Sequence, residues 1–368
     1  MKKSGIEWII AIGMMFCGLS SALACTDLRV TAQDGTVIIA RSLEFALDFH
    51  SNLRSSPRGR QFNTVAPDGK PSISWKAKYG YVFVDGLDID IVVDGMNEAG
   101  LSFGALLFPE YASYPTISAK NTHRALPYLS LGDWILGNFK TVDEVRKALP
   151  TVFLYLNKIP TLGNMTFPLH YAISDATGKG IVVEYVKGEM HIYDNKLGVM
   201  TNSPPYDWQL TNMINYIHLS PLNPPSVMSN GTLYAATGQG YGMLGLPGDI
   251  SPPSRFVKIA VLSHLSLPVP DADSALNLAQ HIMNNVDVVA GEAREQDSGK
   301  YLNDITQWVV FKDLTHRVFY YRTYEDLSLR AVSLSKIDLS ENAPRLTMPM
   351  ASKALAKDLT DQFEQSKN

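Results

Sequence analysis

Short runs of β-branched and aromatic residues, separated by turn residues, dominate the hydrophobic pattern of this chain. The first run covers 25–32, and Asp34-Gly35 predicts a tight turn into a second run at 36–42. Later runs, divided by Asp-Gly and Asn-x-x-Gly signals, lie at 79–84, 89–94, 101–108, 172–174, 181–184, 190–193, 307–312 and 317–322. This pattern predicts many antiparallel strands.

Helical periodicity occurs between these groups of strands. Residues 143–149 are amphipathic behind a candidate N-cap at Thr141, and 271–283 has an apolar stripe behind a capping Asp271 or Asp273. Two further helices are predicted at 255–265 and 352–363. Because strand groups alternate with helix pairs without a regular βαβ rhythm, the sequence predicts an α+β layered fold.

The first 24 residues have the composition of a cleavable secretory leader. Two lysines precede an apolar stretch at 8–16, and Ala-Leu-Ala at 22–24 places small residues at −3 and −1 before Cys25. A lipoprotein leader also ends before cysteine, but it prefers a small residue at −2, where this chain has leucine. We expect cleavage after residue 24, with a lipid anchor on Cys25 as the alternative.

Composition sets the class of protein. The chain has 368 residues, of which 45% are hydrophobic and 18% charged, so removal of the leader leaves 344 (368 − 24) in a globular composition. We expect one domain at 25–368, with a helix in its 340–368 tail. The net charge of −4 argues against nucleic acid as a partner. After the leader no apolar run approaches the roughly 20 residues that span a bilayer. We therefore expect an exported protein, periplasmic or secreted, without stable membrane insertion.

Cleavage after residue 24 would place a thiol and a free α-amine on Cys25. In amide hydrolysis the thiolate attacks the carbonyl, while the amine takes the thiol proton and returns it to the leaving amine. The ordinary pKa of an α-amine, about 7.7–8.0, is close to the roughly 8.5 of a thiol, so a modest positive field favours the proton transfer. This arrangement is the one that an N-terminal-nucleophile hydrolase needs.

Arg41 and Glu44 are the nearest candidates to supply that field and to orient the amine. A two-residue turn at Asp34-Gly35 pairs positions that sum to 69, so it places Glu44 opposite Cys25 and Arg41 on the other face. The competing interpretation is that Arg41 and Glu44 form a surface ion pair. The eight histidines lack metal-ligand spacing and no G-x-S-x-G occurs, so neither a metal nor another cofactor is predicted.

Four sequence blocks, taken in order, resemble the choloylglycine hydrolase family of cysteine amidases, which includes bile salt hydrolases and penicillin V acylases. They are Cys25-Thr26 with 40–45, the turn signature at 94–101, Met-Thr-Asn-Ser-Pro at 200–204 with 206–208, and 245–249 with 254–256. The resemblance implies the four-layer αββα sandwich of the Ntn hydrolases, built on antiparallel sheets, with Cys25 at the start of a central strand. It also implies a homotetramer, since relatives form tetramers.

Carried over to this chain, the resemblance makes Cys25 the nucleophile. It makes Arg41 and Arg255 the arginines that set the electrostatics of the site. Asn202 would supply a side-chain amide to the oxyanion hole, whose donors act as the tetrahedral intermediate forms. The implied activity is hydrolysis of a linear N-acyl amide bond without cofactor or metal.

Two positions depart from the family pattern. Glu44 stands where the family usually has aspartate, and Leu107 falls where bile salt hydrolases have an oxyanion asparagine. The leader and Leu107 favour penicillin V or another N-acyl amide, including acyl-homoserine lactones, over conjugated bile salts. A non-catalytic exported binding protein with the same fold is the alternative from another class. An apolar acyl pocket is expected from Trp75, Tyr79, Phe103, Leu106, Leu107, Phe108 and Tyr111, although such residues are more often core.

Overall fold

The strands and helices of the computed structural model are given for residues 24–297, 299–351, 353, 359 and 360, which are the residues that the structure describes. The strands are β1 (Cys25–Thr31), β2 (Val37–Phe45), β3 (Asn52–Ser56), β4 (Gln61–Val65), β5 (Pro71–Lys76), β6 (Tyr81–Gly86), β7 (Ile89–Asn97), β8 (Leu101–Leu107), β9 (Ala125–Pro127), β10 (Phe153–Tyr155), β11 (Leu169–Asp175), β12 (Gly180–Val186), β13 (Glu189–Asp194), β14 (Val199–Met200), β15 (Val227–Ser229), β16 (Thr232–Tyr234), β17 (Ala293–Asp297), β18 (Lys300–Asp313), β19 (Val318–Thr323), β20 (Arg330–Ser333) and β21 (Thr347–Pro349). The α-helices are α1 (Leu131–Asn138), α2 (Val142–Ala148), α3 (Tyr206–Asn212), α4 (Pro252–Leu265) and α5 (Ala272–Met283).

Two large antiparallel sheets form the centre of the fold. The first has the order β14-β1-β2-β18-β19-β20, with β17 also paired to β18, and the second has the order β13-β12-β11-β8-β7-β6-β3-β21. Helices α4 and α5 pack on β1 and β2 of the first sheet, and α1 packs on β7 and β8 of the second. The predicted α+β fold, an αββα sandwich with antiparallel sheets, is therefore confirmed.

Strand β2 lies inside this sandwich. All nine of its residues are buried, because the first sheet has the second sheet on one side and α5 on the other. Most of the strand is apolar, but Arg41, Ser42 and Glu44 are polar and equally inaccessible. Buried polar and charged groups must find partners inside the protein, so this strand has to carry a specific polar site.

The β1–β2 register differs from the predicted one by one residue. Thr31 pairs with Val37, so five residues connect the strands, and the amide of Ala32 donates to the carbonyl of Thr36 across the loop. A two-residue turn was therefore the wrong expectation. Because side chains alternate between faces, the one-residue shift exchanges the faces that were predicted for the charged positions of β2.

Most of the predicted helices are confirmed. Thr141 caps α2 by accepting from the amide of Glu144, and Asp271 caps α5 by accepting from the amide of Ser274. Helix α1 was missed because seven of its eight residues are buried, which removes the amphipathic pattern that identifies a surface helix. The leader predicted at 1–24 lies outside the described residues except for its last residue, and of the helix predicted at 352–363 only residues 353, 359 and 360 are described.

In the tail expected at 340–368, residues 347–349 form a strand. This strand, β21, pairs with β3 at the edge of the second sheet. Within the described residues no helix is both long enough and apolar enough to cross a bilayer.

Candidate active site

Cys25 is the first residue of β1 and is fully buried between the layers. It pairs with Leu43 of β2, and its thiol forms no disulfide within the described part of the chain. Its main-chain nitrogen donates a hydrogen bond to Oδ1 of Asn202 at 2.7 Å. Its Sγ lies 3.6 Å from Nη2 of Arg41. The amide nitrogen and the sulfur of one residue thus face two different polar side chains.

Arg41 lies on the same face of the hairpin as Cys25, because the observed register pairs it with Asp27. Its Nη2 also donates to the carbonyl of Ala105 at 2.7 Å, and its guanidinium lies over the ring of Trp308, 4.8 Å from the centroid. On the far side its Nε is 3.9 Å from Oδ2 of Asp94. These contacts hold a permanent positive charge against the thiol.

Arg255 and Asn202 form a second polar group around Cys25. Nη1 of Arg255 donates to the carbonyl of Cys25 at 2.6 Å and to Oγ1 of Thr26 at 2.5 Å, while Nη2 donates to Oδ1 of Asn202 at 2.8 Å. Nδ2 of Asn202 donates to the carbonyl of Leu107 at 2.7 Å. Since Oδ1 accepts from two donors and Nδ2 faces a carbonyl, the network fixes the orientation of the amide.

Glu44 lies on the opposite face of β2 from Arg41, toward Arg255. Both Glu44 and Arg41 are fully buried, so the interpretation as a surface ion pair is wrong. Oγ1 of Thr306 donates to Oε1 of Glu44 at 2.9 Å, and Oε2 has no hydrogen bond within the described residues. Burial raises the pKa of Glu44 to about 7, although Arg255 opposes the rise. The carboxyl group therefore titrates near neutral pH.

The thiol of Cys25 is subject to opposing influences. Burial is the largest, and it raises the pKa of Cys25 above the ordinary value because a thiolate loses its hydration. Glu44 also raises this pKa, whereas Arg41, Arg255 and a backbone hydrogen bond from Leu107 lower it. Each further positive charge near the sulfur therefore increases the thiolate fraction.

An apolar pocket opens beside Cys25 and Arg41. Its cavity volume is about 40 Å³, and ten of the residues that line it are Leu43, Phe45, Phe49, Leu87, Ile91, Phe103, Leu107, Tyr128, Phe167 and Tyr171. The hydroxyl of Tyr128 accepts from the amide of Phe167 at 2.9 Å, and that of Tyr171 bonds the hydroxyl of Tyr114 at 3.0 Å. Each of the two tyrosine hydroxyls thus has a partner, whereas Nη1 of Arg41, which also lines the pocket, forms no hydrogen bond within the described residues.

Of the seven residues expected to line an acyl pocket, the structure places Leu107 and Phe103 on this wall. Phe108 lies outside the lining and stacks on His170, with ring centroids 4.4 Å apart. Trp75 packs on Phe62 in the core cluster beneath α1. The remaining three, Tyr79, Leu106 and Tyr111, are also outside the lining.

Two buried groups of polar side chains near the site were not identified from the sequence. Nζ of Lys312 donates to Oδ1 of Asp94 at 2.6 Å, and both side chains are fully buried. Asp94 opens the turn signature at 94–101, but that motif gave no role to its carboxylate. Lys312 had a signal that went unused, because a lysine ending an all-apolar strand run at 308–311 needs a buried partner.

The second group is His170 with Glu184. Nδ1 of His170 is 3.0 Å from Oε1 of Glu184, and Nε2 is 2.9 Å from the carbonyl of Thr201. Glu184 also accepts from the amide of Tyr206. The pair therefore holds both ends of the loop that carries Asn202. The sequence gave no signal for it, since its two members are 14 positions apart and on different strands.

Comparison with known proteins agrees with the geometry of the site. The family model for linear amide C–N hydrolases of the choloylglycine hydrolase family matches residues 25–350. A bile salt hydrolase/transferase of Clostridium perfringens is 34% identical over 323 residues, covering 86% of this chain and 94% of that protein. A penicillin V acylase of Pectobacterium atrosepticum is 30% identical over 213 residues, covering 55% of this chain and 56% of that protein.

A solved structure has the same fold. A variant of the conjugated bile acid hydrolase from Clostridium perfringens superposes with a TM-score of 0.79 at 31% identity, covering 91% of this chain and 99% of that one. The similarity extends over the two sheets that enclose Cys25.

Proposed function

The chain belongs to the choloylglycine hydrolase family of linear amide C–N hydrolases, and we propose that Cys25 is its nucleophile and that its substrate is an amide with an apolar acyl group. The observation that carries this proposal is the position of the thiol, which lies 3.6 Å from Nη2 of Arg41 on a residue that lines an apolar pocket. The thiolate would attack the carbonyl carbon and form a tetrahedral intermediate.

The proposal needs a free α-amine on Cys25, and therefore removal of residues 1–24. The nitrogen that becomes this amine already bonds Oδ1 of Asn202, and the buried Oε2 of Glu44 has an open acceptor position. The amine would take the thiol proton and then donate it to the leaving amine. After the acyl thioester forms, it would activate water for hydrolysis.

Asn202 and Leu107 are the proposed oxyanion donors. One N–H of Asn202 Nδ2 is held by the carbonyl of Leu107, which leaves the second N–H for an incoming oxygen. The backbone N–H of Leu107 would be the other donor, because a hydrogen bond from this backbone already lowers the pKa of the Cys25 thiol. The leucine side chain adds no polar group to this hole, so both donors act through groups that β8 and the Asn202 loop hold in place.

The composition of the pocket favours an apolar acyl group such as phenoxyacetyl or an alkyl chain. A steroid brings hydroxyl groups, and most of the lining residues are leucine, isoleucine, valine and phenylalanine side chains without a polar group, so steroid hydroxyls facing them would lose hydrogen bonds to water. Conjugated bile salts are the second candidate, because the Clostridium perfringens relative is named a bile salt hydrolase/transferase.

Steady-state kinetics at one pH distinguish these substrates. We expect kcat/KM for penicillin V to exceed that for taurocholate or glycocholate by about 10-fold or more, the usual effect of an unpaired polar group in an apolar site. Phe103→Leu should change this ratio and Phe108→Leu should leave it unchanged, because Phe103 lines the pocket and Phe108 does not. A higher kcat/KM for bile salts would contradict this preference and favour conjugated bile salts as the substrate.

Export is part of the same proposal. Residues 1–24 have a basic start, an apolar centre and small residues at −3 and −1, which supports a periplasmic or secreted protein that is released from the membrane after cleavage. Fractionation of producing cells, with the mass of the exported form, tests this. A mature protein that starts at Cys25 without lipid supports the proposed export. A diacylglycerol adduct would instead show a lipid-anchored protein.

We also propose that the protein is a homotetramer. Strands β15 and β16 form a two-stranded sheet whose Val227, Met228, Leu233 and Tyr234 are each about 60% exposed. An isolated two-stranded hairpin with exposed apolar residues is marginally stable in water, so a second copy of this chain would stabilise it by covering these side chains.

A further inference from the structure

Four charged side chains meet between the two sheets behind Cys25. Arg41 comes from β2, Asp27 from β1, Lys312 from β18 and Asp94 from β7 of the second sheet, and each is at most 2% exposed. Nζ of Lys312 is 2.6 Å from Oδ1 of Asp94, and Nε of Arg41 is 3.9 Å from Oδ2 of the same carboxylate. Asp94 thus lies between two cations, and one of them contacts the nucleophile.

The strand registers bring this group together. Asp27 pairs with Arg41, and Arg41 pairs with Val310, so Lys312, two residues further along β18, points to the same face. Gly104 lies opposite Asp94, and a Cβ there would be 3.0 Å from Oδ2 of Asp94 and 3.8 Å from Oδ2 of Asp27. The missing side chain at Gly104 leaves room for two carboxylates from different sheets.

The charges of the group are balanced. Two cations face two carboxylates, and the cation next to the sulfur is Arg41. Without Lys312 the group would carry a net negative charge beside the thiol, and Arg41 would be drawn toward the uncompensated Asp94. Burial raises the pKa of Asp27 to about 6, and the charge of Lys312 is the largest influence that opposes this rise.

We propose that Lys312 is a positioning residue: it neutralises Asp94 and thereby keeps Arg41 turned toward Sγ of Cys25. Lys312 does not itself contact the sulfur. It acts through Arg41, whose Nη2 is shared between Cys25 and the carbonyl of Ala105. The inference deepens the proposed function and depends on the assignment of Cys25 as the nucleophile.

The test uses the pH dependence of Cys25 alkylation by iodoacetamide, followed by mass spectrometry, together with amide hydrolysis. Cys25 is the one cysteine in residues 25–368, so the signal is specific. In Lys312→Met we expect the apparent thiol pKa to rise by about one unit, because a neighbouring charge of the wrong sign disfavours the thiolate. We expect kcat to fall about 10-fold with KM within about twofold, as for a residue that does not bind substrate.

A double variant separates charge balance from simple loss of packing. Asp94→Asn/Lys312→Met removes one charge of each sign, so it should restore the alkylation profile and bring kcat within about threefold of the original. Arg322→Met is the matched control, because Arg322 is a buried cation on neighbouring β19 that pairs with Asp287 away from Cys25. Its alkylation profile should be unchanged.

An unchanged profile in Lys312→Met, or a double variant no better than the single one, would overturn the proposal. If Lys312→Met does not fold, the double variant decides alone: a profile like the original supports the role, and a 10-fold loss of reactivity at neutral pH refutes it. Alkylation does not require hydrolysis. A shifted profile in a protein that cleaves no amide would therefore retain the positioning role and reject the proposed function.

Discussion

Oδ1 of Asn202 lies 2.7 Å from the main-chain nitrogen of Cys25, although the two residues are 177 positions apart. The same side chain reaches the end of β8 through the carbonyl of Leu107 and is held by Arg255. One amide therefore connects the nucleophile, the wall of the acyl pocket and a buried arginine. The oxygen and the nitrogen of this amide have different partners, and substitutions can distinguish their roles.

Asn202→Asp keeps an acceptor for the nitrogen of Cys25 and for Arg255 but removes both N–H groups of Nδ2, the one that bonds the carbonyl of Leu107 and the one proposed for the oxyanion. We expect kcat to fall about 10²–10³-fold, as for the loss of an oxyanion-hole donor. The added negative charge should also raise the apparent pKa of the Cys25 thiol. Steady-state kinetics and alkylation rates measure the two effects. Activity close to the original would exclude Asn202 from the oxyanion hole.

Arg255→Leu removes the donor to the carbonyl of Cys25 and to Oγ1 of Thr26, and one of the two donors to Oδ1 of Asn202. We expect a loss of stability of about 3–5 kcal/mol, because breaking a buried ionic network leaves its partners unpaired. Denaturant unfolding gives the value. Arg146→Leu is the control, since its pairing with Asp194 is partly exposed, and it should change stability by less than about 1 kcal/mol. Equal effects in the two variants would contradict the assigned network.

Asp133 gives a pH dependence of stability that is independent of the site. Burial raises its pKa from 3.8 to about 6. The native state therefore holds a proton that the unfolded chain has already lost, and the stabilisation present below pH 4 is lost as the pH rises through 6. The shift corresponds to up to about 3 kcal/mol. Stability of Asp133→Asn should thus fall less between pH 4 and pH 7.

Asp143→Asn is the control for this series. Asp143 is exposed, and its bond to Lys179 lowers its pKa, so its titration lies below pH 4 and should leave the slope between pH 4 and pH 7 unchanged. Urea unfolding at several pH values compares the three proteins. A slope in Asp133→Asn identical to that of the original protein would show that Asp133 is ionised throughout this range.

The exposed hairpin of β15 and β16 provides a test of assembly. Leu233→Asp places a charge among apolar side chains that a second copy would bury, so we expect the proposed tetramer to dissociate. Lys187→Asp is a control at an exposed site outside the hairpin. Light scattering measures the mass of each. A monomeric original protein, or a tetramer that persists in Leu233→Asp, would reject this surface as the interface.

The sequence predicts most of the strands and the cysteine, because these depend on local patterns. The alternation around 25–42 and the turn at Asp34-Gly35 identified the first hairpin correctly. Its register depended on the length of the connection, which is five residues where two were expected, and propensity does not determine that number. The faces assigned to Arg41 and Glu44 were therefore exchanged, and both residues are buried in the strand that pairs with the one carrying Cys25.

Other parts of the site depend on contacts between distant segments. Lys312 meets Asp94 across 218 positions, and His170 meets the loop of Asn202 through a backbone carbonyl, which no side-chain pattern encodes. The pocket shows the same limit. Phe103 and Phe108 lie close together in the sequence, but only Phe103 lines the pocket. Successive side chains of a strand point to opposite faces, and β8 ends before Phe108.

The mass of the N-terminal peptide, measured after rapid acid quenching of the protein with substrate, tests most directly whether Cys25 is an N-terminal nucleophile. We predict a peptide that begins at Cys25 with an unmodified amine and gains one acyl group on sulfur, and no such adduct or turnover in Cys25→Ala. A blocked or different N terminus, or full turnover by Cys25→Ala, would contradict the mechanism.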